Sequence, residues 1–509
     1  MLVKIILLLL FFGCMIGVGL YARKSTSSTN DFVLGGRNVG PWLSAFAYGT
    51  SYFSAVVFVG YAGQFGWKYG LASTWIGLGN AVLGSLLAWV AMGRRTRVMT
   101  HHLEVATMPD FFGKRYDSNV IKITASVIAF VFLIPYTASV YNGLSRLFGM
   151  AFDIPYTVCV VTMAVLTGIY VILGGYMATA INDFIQGIIM LVGIVAVIGA
   201  VLSGQGGFLE AVRKLSEIPS DVPVTRGQQG AFASFFGTDP LNLLGVIILT
   251  SLGTWGLPQM VHKFYAIKSE RAIKTGTIVS TFFAVIVSGG CYFLGGFGRL
   301  FDSEALYKAD GTVLYDAVVP TMLATLPDIL IGIVIVLVLS ASMSTLSSLV
   351  LTSASTLTLD FLKGNLVKDM DDKKQLIYIR VLIVFFIVLS VVLALNPPTF
   401  IAQLMGISWG ALAGAFLAPF LYGLYWKGVT KAGVWASFIC GVGITVSNMF
   451  LKFIASPINA GAVAMIAGLI VTPLVSLVTP KLENQFLGKI FMCYDNTVNV
   501  SKKEYLKED

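Results

Sequence analysis

Thirteen stretches of about twenty or more mostly apolar residues follow one another along this chain, separated by polar connections. They run approximately over 2–22, 42–66, 70–93, 120–150, 155–173, 176–202, 241–266, 271–298, 327–361, 375–395, 399–425, 431–452 and 459–479. A chain so patterned satisfies its backbone polar groups only as helices crossing a bilayer. Composition agrees, since 56% of the 509 residues are hydrophobic and 12% are charged, about half the charge of an ordinary soluble domain. The expected fold class is therefore an all-α polytopic membrane protein with 13 transmembrane helices. Met1 to Tyr21 reads as a retained first helix, because span length and the basic Arg23-Lys24 after it outweigh a signal peptide.

The net charge of +9 does not indicate nucleic acid, because the basic residues lie in the connections between apolar segments. With the N-terminus outside, nine Lys and Arg fall on the outer side and the other 25 of 34 on the inner. The inner groups are Arg94-Arg95-Arg97, Lys114-Arg115, Lys263/Lys268/Arg271/Lys274 and Lys363 to Lys374. That asymmetry places the C-terminus in the cytoplasm of a cell-membrane protein. The outer loops 203–240 and 299–326 are the longest, with a short surface helix expected near Leu209–Leu215, and the tail after Pro480 is short and charged. Cys14, Cys159, Cys291, Cys440 and Cys493 have no pair spacing and read as small core residues.

Three features carry chemistry. In the ninth span, Ala341, Ser344, Thr345, Ser348, Thr352 and Ser355 share one ~100° stripe of a helix, with Ser347 on its edge. Hydroxyl oxygens in a row are hard, neutral ligands for a small cation, although small polar residues also serve simple helix packing. The second span is interrupted by Ala47-Tyr-Gly-Thr-Ser-Tyr-Phe-Ser-Ala55, and the seventh by Thr250-Ser-Leu-Gly-Thr-Trp-Gly-Leu-Pro-Gln259. Broken spans at matching places in two halves point to an inverted-repeat transporter with a midplane site, where freed carbonyls face a cation and a helix N-terminus faces an anion. In the sixth span, Asp183 is a carboxylate in apolar surroundings. Such an acid is a functional candidate, with a cation shared with the Ser344–Ser348 face as its partner, or else an acid at the inner mouth.

Together these pieces resemble the sodium/solute symporter family, which includes proline, pantothenate, sialic-acid and galactose carriers. The resemblance spans about residues 2–480 and rests on Ala341-Ser-Met-Ser-Thr-Leu-Ser-Ser348, Gly174-Gly-Tyr with Asp183-Phe-Ile-Gln186, Gly256-Leu-Pro-Gln259, and Thr50-Ser-Tyr-Phe-Ser-Ala with Phe58-Val-Gly60. It implies one transporter domain with a LeuT-like five-plus-five inverted repeat: a first helix at 2–22, repeats at 42–202 and 241–425, two further helices at 431–479, and a cytoplasmic tail at 480–509. It implies a main sodium site from the carbonyls of Thr50, Phe53 and Ala341 with the hydroxyls of Ser344 and Thr345. It also implies a second sodium site at Asp183, Ser344, Ser347 and Ser348.

The solute positions it implies are Tyr52, Ser54, Val56 and Val57 on the second span, Thr250, Thr254 and Pro258 on the seventh, and Tyr141. Proline carriers of the family have an acid in place of Tyr52 and aromatics in place of Thr250 and Thr254; sugar carriers have Glu-Gln in place of Val56-Val57. The Thr-Ser-Tyr-Phe-Ser-Ala wording and Trp67-Lys-Tyr-Gly70 lean towards the pantothenate-like branch. The expected partners are sodium, the bilayer and a small organic acid, amino acid or related carboxylate, imported by a protein working as a monomer. The alternatives are proton-coupled or ion-independent transport on the same fold, or a transporter-like sensor. An enzyme is not expected, because His101, His102 and His262 form no catalytic or metal-binding constellation.

Overall fold

The computed structural model describes residues 2–23, 28–152, 154–363, 365–367 and 369–496. Lys24, Lys368 and the end of the tail, 497–509, lie outside the described residues. Among the described residues the architecture is helical, with β pairing limited to isolated bridges such as Val39 with Ile267.

Ten helices are long and apolar enough to cross a membrane, or eleven when a bent pair is counted as one span. Two of the ten are far too long for a single crossing. Tyr156–Gly204 has 49 residues, about 73 Å at 1.5 Å per residue against an apolar thickness of about 30 Å. It changes direction at Gly175, whose φ of 55° and ψ of −149° are non-helical. Val56–His102, 47 residues, is interrupted in the same way by Gly70 at φ 60°. A side chain at Gly70 would place its Cβ 2.0 Å from the Phe232 carbonyl oxygen. Both breaks coincide with the boundaries expected near 173–176 and 66–70.

The second span runs as Pro41–Tyr52, stops, and resumes as a wide turn, Val56–Tyr61, followed by Ala62–Tyr69. Phe53 at the stop is extended (φ −108°, ψ 110°). The seventh runs as Pro240–Leu252, tightens over Gly253–Trp255, and restarts at Pro258–Ala266 with a 41° bend. Proline opens the new helix where its missing N–H costs nothing.

Asp328–Thr356 lies at the centre and packs against Tyr156–Gly204, Asn119–Phe152 and Pro41–Tyr52. Every residue from Leu337 to Thr356 is buried. The hydroxyl stripe is thus not one polar face of a half-exposed helix; protein surrounds the helix on all sides. Lys431–Leu451, by contrast, leaves Ile439 and Phe450 exposed at the periphery.

Two caps were underread from sequence. On one end, Phe208–Glu217 forms the expected surface helix, but Tyr315–Ala324 is a second helix in a loop read as irregular. On the other, the tail is not merely charged. Asn484–Phe491 folds as a helix that buries Leu487, Ile490 and Phe491. Arg115 lies 5.0 Å over the Phe491 ring and Lys427 5.5 Å over it, so basic residues near the loops hold the tail through aromatic contacts.

Candidate functional site

The break in the second span meets the hydroxyl helix. Ser344 Oγ donates to the Thr50 carbonyl at 2.9 Å and to the Ala341 carbonyl at 3.0 Å. Thr345 Oγ1 lies 3.3 Å from the Thr50 oxygen, 3.4 Å from the Ser51 oxygen and 3.1 Å from the Ala341 oxygen. Thr50, Ser344 and Thr345 are all fully buried. Neighbouring oxygens around a small cation held at about 2.4 Å stand about 3.4 Å apart in octahedral order. The Thr50, Ala341, Ser344 and Thr345 oxygens have that scale. Phe53 sits at the stop, where its carbonyl belongs to neither helix. Ser342, absent from the sequence reading of the site, fastens the far side of the break by accepting the Ala55 N–H at 3.2 Å.

The four residues read as a second cation site are arranged differently. Ser347 Oγ donates to its own helix at Ser344 O, 2.8 Å. Asp183 and Ser348 both face the ammonium of Lys263. Lys263 Nζ is 3.8 Å from Asp183 Oδ2 and donates to Ser348 Oγ at 3.0 Å. It also lies 5.1 Å over the Tyr176 ring. Asp183 has 0% side-chain exposure and Lys263 2%. Lys263 was read from sequence with Lys268, Arg271 and Lys274 as an inner flank, but it belongs to the packed core. Its place inside the apolar segment 241–266, between His262 and Phe264, was the available signal.

The solute positions form a buried patch beside the first site. The Tyr52 hydroxyl donates to the Thr250 carbonyl across the two broken spans. Thr254 Oγ1 reaches Gly84 O at 3.1 Å and Ser251 O at 2.9 Å, and Tyr48 OH reaches the same Gly84 O at 2.7 Å. Val56 and Val57 are buried. Ser54 serves the backbone: its Oγ accepts the Val56 N–H at 3.2 Å, and its carbonyl accepts from Val57 and Phe58 at 3.0 Å each. Pro258 is the first residue of its helix. Tyr141 is buried on Asn119–Phe152, but the ring that this helix lays against Trp409 is Tyr136, at 5.8 Å. Trp409 in turn lies 5.9 Å from Tyr52. Among the described residues, the buried Tyr61 hydroxyl has no hydrogen-bond partner, whereas the Tyr136 hydroxyl interacts with Trp409 and Ser54 and that of Tyr141 with Thr167. Tyr48, Tyr136 and Trp409 escaped sequence reading because aromatics are common in apolar spans.

The sodium:solute symporter family model matches residues 32–441. A sodium/proline symporter of Staphylococcus aureus (strain JH9) is 30% identical over 504 residues, covering 94% of this chain and 93% of that one. The chain belongs to the sodium:solute symporter family. It is accordingly a multi-pass membrane transporter and not an enzyme. Among solved structures, a Na+-coupled sialic acid symporter in a substrate-bound outward-open state superposes with a TM-score of 0.77 at 16% identity, covering 94% of this chain and 98% of that one. Mhp1, a nucleobase-cation-symport-1 family transporter in a closed conformation, gives 0.52 at 14% identity, with 90% and 97% covered. The family membership supports sodium-coupled solute import, and the structural likeness shows that the chain shares the fold of these two proteins.

Proposed function

We propose that this symporter carries a small organic carboxylate (an organic acid, an amino acid or a pantothenate-like acid) into the cell with sodium by alternating access. Sodium would be held by the Thr50, Phe53 and Ala341 carbonyls and the Ser344 and Thr345 hydroxyls. The observation that carries this reading is the convergence of the Ser344 and Thr345 hydroxyls on the Thr50 carbonyl at a helix break. Five hard oxygens without a carboxylate suit an ion that must also be released. A neutral site also favours sodium over a proton, which needs a titratable group.

Sodium bound there ties the second span to the hydroxyl helix, and so fixes Tyr52, two residues from Thr50, against Thr250 on the seventh. The solute then sits among Tyr52, Val56, Val57, Thr250 and Thr254, with the buried tyrosine hydroxyls and the Trp409 N–H as orienting donors. Proline is a poor fit, because Tyr52, Thr250 and Thr254 replace the acid and the aromatics of proline carriers.

With the bent seventh span counted as one crossing, dividing the two overlong helices at Gly70 and Gly175 turns eleven candidates into thirteen, a number that accommodates two inverted repeats of five with one helix before and two after. The excess of Lys and Arg in one set of loops puts the N-terminus outside, and the chain works as a monomer. One charge crossing 100 mV supplies about 2.3 kcal/mol and a tenfold sodium gradient about 1.4 kcal/mol. One ion thus sustains a gradient of several hundred-fold for a zwitterionic amino acid, whereas with a monoanion the cotransport is electroneutral and the tenfold sodium gradient alone sustains about tenfold.

A thermal-shift screen of the purified protein against carboxylates, amino acids and sugars, in sodium and in potassium, tests the reading, since a ligand of the native state raises the melting temperature by mass action. Stabilisation by a carboxylate in sodium alone is expected. A sugar as the stabilising ligand, or identical shifts in both salts, would contradict it.

A further inference from the structure

Asp183 has no hydrogen-bond donor among the described residues, at either carboxylate oxygen. A fully buried carboxylate so placed needs a cation nearby. The sequence leaves open whether that cation arrives with each transport cycle or is built in. Lys263 decides it. Its helix, Pro258–Ala266, restarts after the break in the seventh span, and all nine residues are buried. The side chain delivers its ammonium between Asp183 Oδ2 at 3.8 Å and Ser348 Oγ at 3.0 Å. A mobile ion bound by Asp183 and Ser348 would have to occupy the same place.

The ammonium is also wired to the main site. Ser348 Oγ shares a hydrogen bond of 2.8 Å with Ser51 Oγ. Ser51 follows Thr50 in the chain, and its carbonyl lies 3.4 Å from Thr345 Oγ1. An unbroken polar path therefore runs from Asp183 through Lys263, Ser348 and Ser51 to Thr345. On the same helix, His262 packs on Tyr176 and on Tyr265, with ring centroids 5.3 Å and 6.0 Å apart.

We infer that Lys263 is a tethered cation that fills the space between Asp183 and Ser348, so that this transporter binds one sodium ion and not two. The fixed charge holds three elements together: Tyr156–Gly204 through Asp183, the hydroxyl helix through Ser348, and the second span through Ser51. A sodium ion there would have to bind and leave in each cycle; the lysine keeps the three joined while only the ion at Thr345 exchanges. This inference rests on the sodium reading of the Thr345 site.

Equilibrium binding of radioactive sodium to the purified full-length protein tests it without any organic solute. The wild type is expected to hold one ion per chain at saturation, and Thr345→Ala to lose most of that binding at the same sodium concentration. Lys263→Ala removes the tethered charge and opens the space, so it is expected to hold two ions. Lys263→Arg keeps the charge and is expected to hold one. Adding Asp183→Asn to Lys263→Ala is expected to return the count to one. Two ions on the wild type, or one on a Lys263→Ala protein that elutes as a folded monodisperse species, would overturn the inference and leave the main site standing. No sodium on the wild type would overturn the sodium reading and this inference with it. The wild-type count needs no variant and can refute the proposal by itself.

Discussion

Thr345→Ala removes one hydroxyl from the point where two spans meet. That oxygen lies within 3.1 to 3.4 Å of three carbonyls, those of Ala341, Thr50 and Ser51. Without sodium it donates a proton to them; with sodium it turns its lone pairs to the ion. A hydrogen bond or ligand contact to a charged group is worth about 1.5–3 kcal/mol, which corresponds to about 10- to 150-fold in affinity. The sodium dissociation constant of the purified protein, measured by equilibrium binding, should rise by that factor in Thr345→Ala. Thr345→Ser, which keeps the oxygen and loses only a methyl group, should stay within a few-fold of the wild type. The melting temperature in potassium should fall only slightly, since the Thr50 and Ala341 carbonyls keep Ser344 as a donor and only the long 3.4 Å contact to the Ser51 carbonyl is lost outright. An affinity for sodium within twofold of wild type in a folded Thr345→Ala protein would refute the placement of the ion.

Other perturbations reach different parts of the account. Asp183→Asn leaves the buried Lys263 ammonium unpaired, and breaking a buried pair costs about 3–5 kcal/mol; thermal unfolding in detergent should show a large loss that Lys263→Met recovers in the double variant. At Gly66, a Cβ would lie 2.0 Å from the Gly295 carbonyl oxygen, a backbone clash that side-chain repacking cannot relieve, so Gly66→Ala should lose folded protein in a size-exclusion assay. Asp316, on the short helix outside the spans, has its carboxyl raised to about 6, mainly by burial and against the opposing effect of the Ile401 N–H. Between about pH 4 and pH 6 the unfolded acid is already ionised while the folded one is still protonated. Stability therefore falls as pH rises through that window, by at most about 3 kcal/mol. Asp316→Asn should remove this component from the pH dependence of the melting temperature.

What could be read from residues alone was whatever local chemistry decides. The stop at Phe53 follows from Gly, Thr and Ser inside an apolar run, and the restart of the seventh span from Pro258. The breaks at Gly70 and Gly175 follow from glycine between segments that are together too long for one crossing. What escaped depends on partners far away in sequence. Lys263 looked like a flanking charge because Lys268 and Arg271 follow it; its depth is set by Asp183, eighty residues earlier on another helix. The hydroxyl stripe was visible, but Ser342, off that stripe, also holds the second span because protein surrounds the helix. The docked tail helix was missed since its apolar residues, Leu487, Ile490 and Phe491, are too few to stand out among charges. Its contacts are with loops that the sequence does not place together.

Solute accumulation in proteoliposomes under imposed gradients tests the central claim most directly, using a carboxylate that stabilises the purified protein. An inward sodium gradient should drive accumulation above the external concentration, and an inward proton gradient in potassium should drive none. Equal accumulation under the proton gradient, or mere equilibration regardless of sodium, would contradict sodium-coupled import through the Thr50–Thr345 site.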